Sequence, residues 1–376
     1  MRAKALFVFC LLLLPPGLRA SGSGYHVVKK VKVGGEGFWD YLNVDSDARR
    51  LYISRGTHVM VLDADSLNPV GDVPNTQGVH GIALAPELGR GFTSNGRANT
   101  VTIFDLKSLK VLGEVKTGQN PDAIVYDPAS RRVFTFNGRS GDSTAIDAAS
   151  DTVAGTIALG GRPEFAAADG KGHVYANLED KSMVVEIDSQ KLTVESRWPL
   201  APGEEPSGMA MDREHRRLFS GCHNKMMVVM DANNGKVVAT PPIGEGVDAN
   251  AFDPGTGLAF SSNGDGTLTV VHQDSPDKYS VVENVQTQRG ARTMALDLKT
   301  HNVYVVTAEF GPPPAPTAIN RIQGQALCLA RSLSWSWEDS RDAYLASHSR
   351  SATFSGRPSG TNRSPPSRSA ASQESR

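Results

Sequence analysis

The stretch GIALAPELGRGFTSNGRANTVTIFDLKSLKVLGEVKTG, residues 81–118, contains the unit from which most of the chain is built. It divides into four short runs rich in Val, Ile, Phe and Thr, and Gly, Asn, Asp or Pro separates one run from the next. Such runs are typical of β-strands, and none shows the extended 3.6-residue apolar period of an α-helix. We therefore predict that the unit folds as four β-strands.

The unit recurs seven times along the chain. One position, at the end of the first strand, marks the copies at intervals of 40–44 residues: Asp45, Ala85, Asp127, Asp169, Asp212, Asp253 and Asp297. A flat four-stranded sheet cannot bury both of its faces alone, so the copies are expected to pack face to face around an axis. The sequence predicts an all-β fold, a seven-bladed β-propeller of four-stranded antiparallel blades.

Three segments carry a resemblance to a known family: TVTIFDLKSLKVLGEVKTGQNP (100–121), DPASRRVFTFN (127–137) and DPGTGLAFSSN (253–263). They resemble the YVTN repeat, and residues 25–310 are similar to the secreted, bacterial YncE-like propellers. The resemblance implies seven blades but no particular chemistry, because related lactonase and cytochrome-associated propellers show that the scaffold supports several functions. The WD40 variety is disfavoured because the Trp39–Asp40 pair opens a first strand rather than ending a third.

The two ends of the repeat region are predicted to meet. Residues 25–33 match an outer strand without its own first three, so we expect this N-terminal strand to complete the last blade. The last copy supplies a first strand (291–297) and a second (301–310), but no clear third strand follows Thr317. The segment GQALCLARS (324–332) is an alternative source of that strand.

Three regions are predicted along the chain. Residues 1–20 form a secretory signal peptide with cleavage near Ala20, which makes the protein secreted or periplasmic; a buried N-terminal helix is the alternative. Residues 21–317 form the propeller. Residues 318–376 form a divergent Ser/Arg-rich tail, expected to be disordered or the product of a shifted coding frame, with a genuine basic extension as the alternative. No later stretch is long and apolar enough for a transmembrane segment.

Charge argues against nucleic acid as a partner. The whole chain carries a net charge of −1. The predicted signal contributes +3 and residues 318–376 contribute +4, so the body between them carries −8. Such a body lacks the general electrostatic attraction that drives binding to phosphate backbones.

One cysteine and two recurrent residue types have a structural interpretation. Cys222 precedes His223, a pair that could act as a nucleophile, but an ordinary reduced thiol beside a polar turn is favoured. Aspartates end five third strands and are expected to cap the following turns rather than bind metal: Asp63, Asp105, Asp147, Asp188 and Asp231. Asn-Gly pairs that begin at Asn95, Asn137 and Asn263 are expected to supply the positive φ of the turn between second and third strands.

In a propeller, the link before each first strand and the turn between second and third strands open on one face. That face is expected to bind the ligand, and ten residues are candidates for doing so: Trp39, His80, Arg97, Asp122, Arg139, Arg162, Glu164, His223, Asp248 and Arg292. The same rim also carries Asp40, Asn120, Ser207 and Arg289.

Three of the candidates suggest chemistry. His80, Asp122 and Glu164 occupy matching places in three neighbouring blades and could hold a divalent metal or perform acid–base work. No tight His/Cys ligand spacing and no known catalytic motif accompanies them, so the sequence predicts no metal, no cofactor and no catalytic residue. The favoured function is a binding module for a protein, a peptide or a small ligand. A lactonase-like hydrolase that uses rim His, Arg and Glu residues is the alternative, and nucleic-acid binding is a weaker one.

Overall fold

Antiparallel β-strands account for almost all regular structure in residues 24–34 and 38–308, the part of the chain that the computed structural model describes. The chain divides into two units, Met1–Glu309 and Phe310–Arg376, and every described residue belongs to the first. Six sheets have four strands each, and within a sheet each strand pairs with the one that follows it along the chain. We number these sheets blades 1–6; a further, two-stranded sheet follows them.

The first three blades cover residues 42–116 and 121–158. Blade 1 contains β1 (Leu42–Asp45), β2 (Arg50–Ser54), β3 (Val59–Asp63) and β4 (Pro69–Val73). Blade 2 contains β5 (Val79–Ala85), β6 (Arg90–Asn95), β7 (Thr100–Asp105) and β8 (Val111–Lys116). Blade 3 contains β9 (Pro121–Asp127), β10 (Arg132–Asn137), β11 (Asp142–Asp147) and β12 (Thr152–Ala158).

The remaining sheets follow in the same order. Blade 4 contains β13 (Pro163–Ala168), β14 (His173–Leu178), β15 (Met183–Asp188) and β16 (Thr193–Pro199). Blade 5 contains β17 (Pro206–Asp212), β18 (Arg217–Cys222), β19 (Met226–Asp231) and β20 (Lys236–Ala239). Blade 6 contains β21 (Val247–Asp253), β22 (Leu258–Asn263), β23 (Thr267–Ser275) and β24 (Lys278–Gln286). The two-stranded sheet contains β25 (Met294–Asp297) and β26 (Asn302–Val305), and two 3-10 turns cover Pro86–Leu88 and Glu179–Lys181.

The first strand of every sheet is the innermost. These first strands follow one another around a ring, each beside the next, and β25 lies beside both β21 and β1. Apolar side chains fill the space between neighbouring sheets: Phe134 and Val174 join blades 3 and 4, while Leu62 and Ala295 join blade 1 to the two-stranded sheet. The prediction of a propeller with four-stranded antiparallel blades is confirmed.

The number of complete blades among the described residues is six, not the expected seven. The sheet formed by β25 and β26 occupies the place between blades 6 and 1, but within the described ranges no third or fourth strand joins it. The alternative third strand at 324–332 lies outside the described residues, as do the predicted signal peptide and tail.

Residues 24–34 do not form the predicted outer strand and are irregular. They nevertheless lie next to the two-stranded sheet. Tyr25 Oη donates a hydrogen bond to the carbonyl of His301 at 2.9 Å, and its ring packs edge-on against Phe260 of blade 6. Farther along the segment, Val33 packs in the cluster that contains Tyr304. A fourth strand needs a third strand as its hydrogen-bonding partner, which explains why this segment lies along the sheet without extending it.

Buried aspartates at the ends of five first strands link their sheets to the next sheet around the ring. Their carboxylates are hydrogen-bonded to side chains of the following sheet: Asp127 to Ser189 (2.6 Å), Asp169 to Arg216 (3.0 Å), Asp212 to Gln273 (3.0 Å), Asp253 to His301 (2.7 Å) and Asp297 to Arg49 (2.6 Å). The last pair joins the two-stranded sheet to blade 1. Tyr304 crosses the same seam, because its Oη donates to the carbonyl of Ala64 at 2.8 Å.

The aspartates that end the third strands cap the following turns, as predicted. Asp63 Oδ1 accepts a hydrogen bond from Ser66 N at 2.8 Å, and Asp105 Oδ1 accepts one from Ser108 N at 2.7 Å. The other three aspartates of the set accept equivalent backbone hydrogen bonds. The recurrence of aspartate here is therefore a requirement of the turn.

The prediction for the Asn-Gly pairs was wrong. The three asparagines are buried at the ends of second strands, and their amides donate to threonines of the third strand; Asn95 Nδ2, for example, donates to Thr102 Oγ1 at 2.8 Å. Positive φ occurs later in the same turns, at Asn99 (56°), Gly141 (66°) and Gly266 (94°). The buried hydrogen bonds of these asparagine side chains therefore outweigh the local preference of Asn-Gly for positive φ.

Replacement of Arg49 by Ala should weaken the seam between the two-stranded sheet and blade 1. Burial would raise the pKa of Asp297, but hydrogen bonds from Ser46, Thr300 and Arg49 together lower it to about 2. Removal of the guanidinium leaves a buried carboxylate without its cation. We expect the free energy of unfolding, measured by urea denaturation at pH 7, to fall by about 2–4 kcal/mol.

Lys225→Ala is the matched control, because it breaks an exposed pair with Glu245 (2.9 Å) and should change the free energy of unfolding by less than about 1 kcal/mol. The contribution of Asp297 should be fully present above its unfolded pKa of about 4 and be lost as the pH falls through about 2. Equal losses in the two variants at pH 7 would contradict a special role for the seam.

Candidate functional site

Seven residues, one from each sheet, stand at or just before the start of the first strands. We call them the axial ring: Asp40, His80, Asp122, Glu164, Ser207, Asp248 and Arg292. In blades 2–6 the pairing between first and second strands shifts register at this point. Such β-bulges re-aim side chains relative to the regular alternation of a strand. As a result, ring residues of different blades reach one another.

Side chains of the second strands hold the bulges of the following sheet in place. Ser94 Oγ donates a hydrogen bond to the carbonyl of Asp122, and Asn177 Nδ2 donates to the carbonyl of Ser207 at 2.8 Å. The hydroxyl of Ser262 donates in the same way to the carbonyl of the ring arginine. The backbone that carries the axial ring is thus fixed by hydrogen bonds from one sheet to the next.

His80 forms the centre of one half of the ring. Its side chain is buried, with the residue 3% exposed. Its Nδ1 contacts Asp40 Oδ2 closely and lies 3.5 Å from Asp122 Oδ1. One imidazole nitrogen therefore faces carboxylates from two different blades.

In the other half of the ring, Arg292 lies between the carboxylates of Asp40 and Asp248. Its Nη2 lies 3.8 Å from Asp40 Oδ1, and its Nε lies 3.7 Å from Asp248 Oδ2. Burial raises the pKa of Asp248 to about 6; Arg292 opposes this shift, and the nearby charges of Asp40 and Asp122 add to it. The arginine therefore offsets only part of the negative charge around it.

Glu164 extends the acidic character toward blade 4. Burial, the charge of Asp122 and the neighbouring carboxyl of Glu179 raise the pKa of Glu164 well above its usual range. Glu179 is itself paired with Arg162 and lies 4.0 Å from His223 Nδ1. Compared with an isolated glutamate, Glu164 is therefore shifted toward its protonated form.

Two aromatic rings form a floor beneath the axial ring. Tyr41 and Phe165 come from blades 1 and 4, on opposite sides of the axis, and stack with ring centroids 4.5 Å apart at 15°. The equivalent positions in the other sheets carry small residues: Gly81, Ala123, Gly208, Ala249 and Thr293. A Cβ at Gly208 would lie 2.8 Å from the carbonyl oxygen of Asp248, so this position requires glycine. We call the axial ring together with this aromatic pair the axial cup.

The structure brings together five of the ten candidates, His80, Asp122, Glu164, Asp248 and Arg292. Of the others, Trp39 packs against the core of blade 1, Arg97 lies on an exposed turn, and His223 pairs with Glu205 at 3.4 Å. Arg139 and Arg162 line a separate cleft of about 340 Å³ between blades 3 and 4.

The ten candidates omit Asp40, although it holds the same place in its repeat as His80. They also omit the floor pair Tyr41 and Phe165. Repeat equivalence is the signal that would have found Asp40, since it lies on the same rim. No comparable signal identifies the floor, because the two aromatic residues meet only across the axis.

The surroundings of Cys222 do not favour a role as a nucleophile. It is fully buried, and burial raises the pKa of its thiol to about 12. The thiolate, which is the reactive form of cysteine, is therefore strongly disfavoured near neutral pH. This agrees with the expectation of an ordinary reduced thiol.

Comparison with solved structures shows the fold. The chain is similar to a hydrazine synthase chain from Kuenenia stuttgartiensis, with a TM-score of 0.61, 16% identity, and coverage of 76% of this chain and 99% of that one. It is also similar to U3-55K (TM-score 0.64, 8% identity, 72% and 89% covered) and to the WD40 repeats of RRP9 (TM-score 0.65, 8% identity, 72% and 88% covered). No protein-family profile and no curated protein sequence matches the chain.

Fold and comparisons together define the class: the chain is a β-propeller, a fold that commonly serves as a protein-interaction module. At these identities the likeness extends to the fold alone. Among the described residues, no helix combines the length and apolar character needed to cross a bilayer.

Asp248→Asn should change how stability depends on pH. The pKa of Asp248 is raised from 3.8 to about 6, so in the wild type its ionisation opposes folding as the pH rises across this interval. The loss amounts to at most about 3 kcal/mol. We expect thermal melts of the Asn variant, compared with the wild type, to show a relative gain in stability between pH 4 and pH 7.

Asp47→Asn removes the same charge from a fully exposed side chain and serves as the control. Its stability should follow the wild-type pH profile. If the Asp248 variant also follows that profile, burial does not oppose ionisation at this position.

Proposed function

We propose that this protein is a binding module whose axial cup receives a positively charged side chain of a protein or peptide partner. The observation that carries the proposal is the charge of the cup. Asp40, Asp122 and Asp248 contribute three carboxylates, Glu164 adds a carboxyl group with a raised pKa, and among the ring residues only Arg292 carries a permanent positive charge. A lysine or arginine side chain would relieve the repulsion among these carboxylates.

The floor and the surrounding turns support the same ligand. A cation that enters the cup would approach the stacked rings of Tyr41 and Phe165, and aromatic faces attract cations. The turns between second and third strands surround the cup entrance in a propeller and offer a variable surface to the rest of a partner. The acidic cup disfavours phosphate groups, so nucleic acid is the weaker partner class.

Three finer points belong to the proposal. The two-stranded sheet is the start of a seventh blade, supported by its place between blades 6 and 1. The chain is a YVTN-type, YncE-like propeller, supported by the repeat motifs at 100–121, 127–137 and 253–263. It is exported, supported by the basic, apolar and small residues of positions 1–20.

Fluorescence anisotropy with a labelled oligolysine peptide tests the proposal. The wild type should bind it, and oligoglutamate should not bind. Asp122→Asn and Asp248→Asn should each weaken oligolysine binding by at least about tenfold, because each removes a partly buried charge that faces the ligand. Asp47→Asn, on the opposite face, should bind like the wild type.

Equal affinity in all three variants would show that the attraction is general and not located in the cup, and would overturn the proposal.

A panel of lactones incubated with the purified protein separates binding from catalysis. Turnover that is lost in His80→Ala would favour the lactonase-like hydrolase instead.

A further inference from the structure

We propose that Asp40, His80 and Asp122 form a binding site for a divalent transition-metal cation, with Zn²⁺ as the best match. The inference rests on the proposed function in one respect, since it places a cation in the same axial cup. It differs in the identity of that cation and in the three residues that hold it.

The three side chains offer donor atoms around a common point. His80 Nδ1, one carboxylate oxygen of Asp40 and one of Asp122 all lie within 4.8 Å of one another. Donors of a tetrahedral zinc site, about 2.1 Å from the metal, are about 3.4 Å apart. The 3.5 Å separation of His80 Nδ1 and Asp122 Oδ1 matches this spacing. Asp40 Oδ2 lies closer to the imidazole and needs a small outward rotation to share a metal ion.

The donor types select the class of metal. One imidazole nitrogen and two carboxylate oxygens suit borderline cations such as Zn²⁺, with a fourth position left for water or a ligand. Ca²⁺ and Mg²⁺ prefer oxygen donors alone. The histidine therefore distinguishes this site from an acidic cluster that attracts any dication.

The donors stand on a backbone that is already fixed. Ser54 Oγ accepts hydrogen bonds from Tyr41 N at 2.8 Å and from Asp40 N at 3.1 Å. Ser94 Oγ donates to the carbonyl of Asp122 and accepts from the amide that follows His80 in the chain, at 2.8 Å. Three donors from three neighbouring blades could therefore bind a metal ion without a large rearrangement of the backbone.

A further contact orients Asp40. Its Oδ1 faces Arg292 at 3.8 Å, while Oδ2 faces His80. Partners of this kind, outside the ligand set, orient metal ligands and tune their affinity. The arginine therefore directs one oxygen of the carboxylate toward the metal position.

A second group of possible ligands helps to calibrate the first. His173, Glu186 and Glu195 also lie close together, and they contact Asp169, the Tyr175 hydroxyl and Lys191, respectively. This group lies on the second, third and fourth strands of blade 4, whereas the axial ring lies at the first strands. The group lies outside the proposed site and provides a matched control.

The test is isothermal titration of the full chain, freed of metal with EDTA, with ZnCl₂. The wild type should bind Zn²⁺ at the axial site, and His80→Ala and the isosteric Asp122→Asn should each weaken this binding by about 100-fold or more. His173→Ala should bind like the wild type. Circular dichroism melts of each variant confirm that it is folded.

Cobalt substitution provides a second measurement, because Co²⁺ bound to nitrogen and oxygen donors in a four-coordinate site gives visible absorption. The bands should appear in the wild type and in His173→Ala and be absent in His80→Ala. Absence of Zn²⁺ binding in the wild type, or equal binding in His80→Ala and the wild type, would overturn the inference.

The oligolysine experiment, performed in EDTA, separates the two proposals. Binding of oligolysine without binding of Zn²⁺ would refute the metal site and leave the proposed function intact. Binding of Zn²⁺ without binding of oligolysine would refute the proposed function and leave the metal site intact.

Discussion

Closure of the ring between the two-stranded sheet and blade 1 is the constraint on which the rest of the structure depends. Each sheet is apolar on both faces and needs two neighbours. At this seam, the neighbour of blade 1 consists of β25 and β26 in the part of the chain that the structure describes. The Arg49–Asp297 pair, the Tyr304–Ala64 hydrogen bond and the cluster around Leu62 and Ala295 carry the closure.

The axial cup depends on this closure directly. Asp40 enters from blade 1, and Arg292 enters from the two-stranded sheet, so their 3.8 Å contact exists only if the two sheets are adjacent. His80 in turn receives Asp40 from the blade before it and Asp122 from the blade after it. The electrostatics of the cup are therefore a product of the complete circle and of no single blade.

The repeats predicted the blades well because strand pattern and turn composition are local properties that recur seven times. The predictions that failed concern partners. Residues 25–33 have the pattern of a strand, but a strand forms only beside another, and the described residues contain no third strand for them to join. Asn95 has the preference for a turn, but its amide donates a hydrogen bond to Thr102.

For the site, equivalence between repeats identified five ring residues and could have identified Asp40. The contact between Tyr41 and Phe165 joins opposite blades, and its neighbours along the chain give no sign of it.

A zero-length carbodiimide crosslink tests the closure most directly. Lys299 Nζ of the two-stranded sheet lies 4.0 Å from Asp47 Oδ1 of blade 1, across the seam. The Lys225–Glu245 pair, at 2.9 Å and far from the seam, serves as the internal reference. Mass spectrometry of the digested protein should find both crosslinked peptides. Recovery of the Lys225–Glu245 crosslink without the Lys299–Asp47 crosslink would contradict a closed ring.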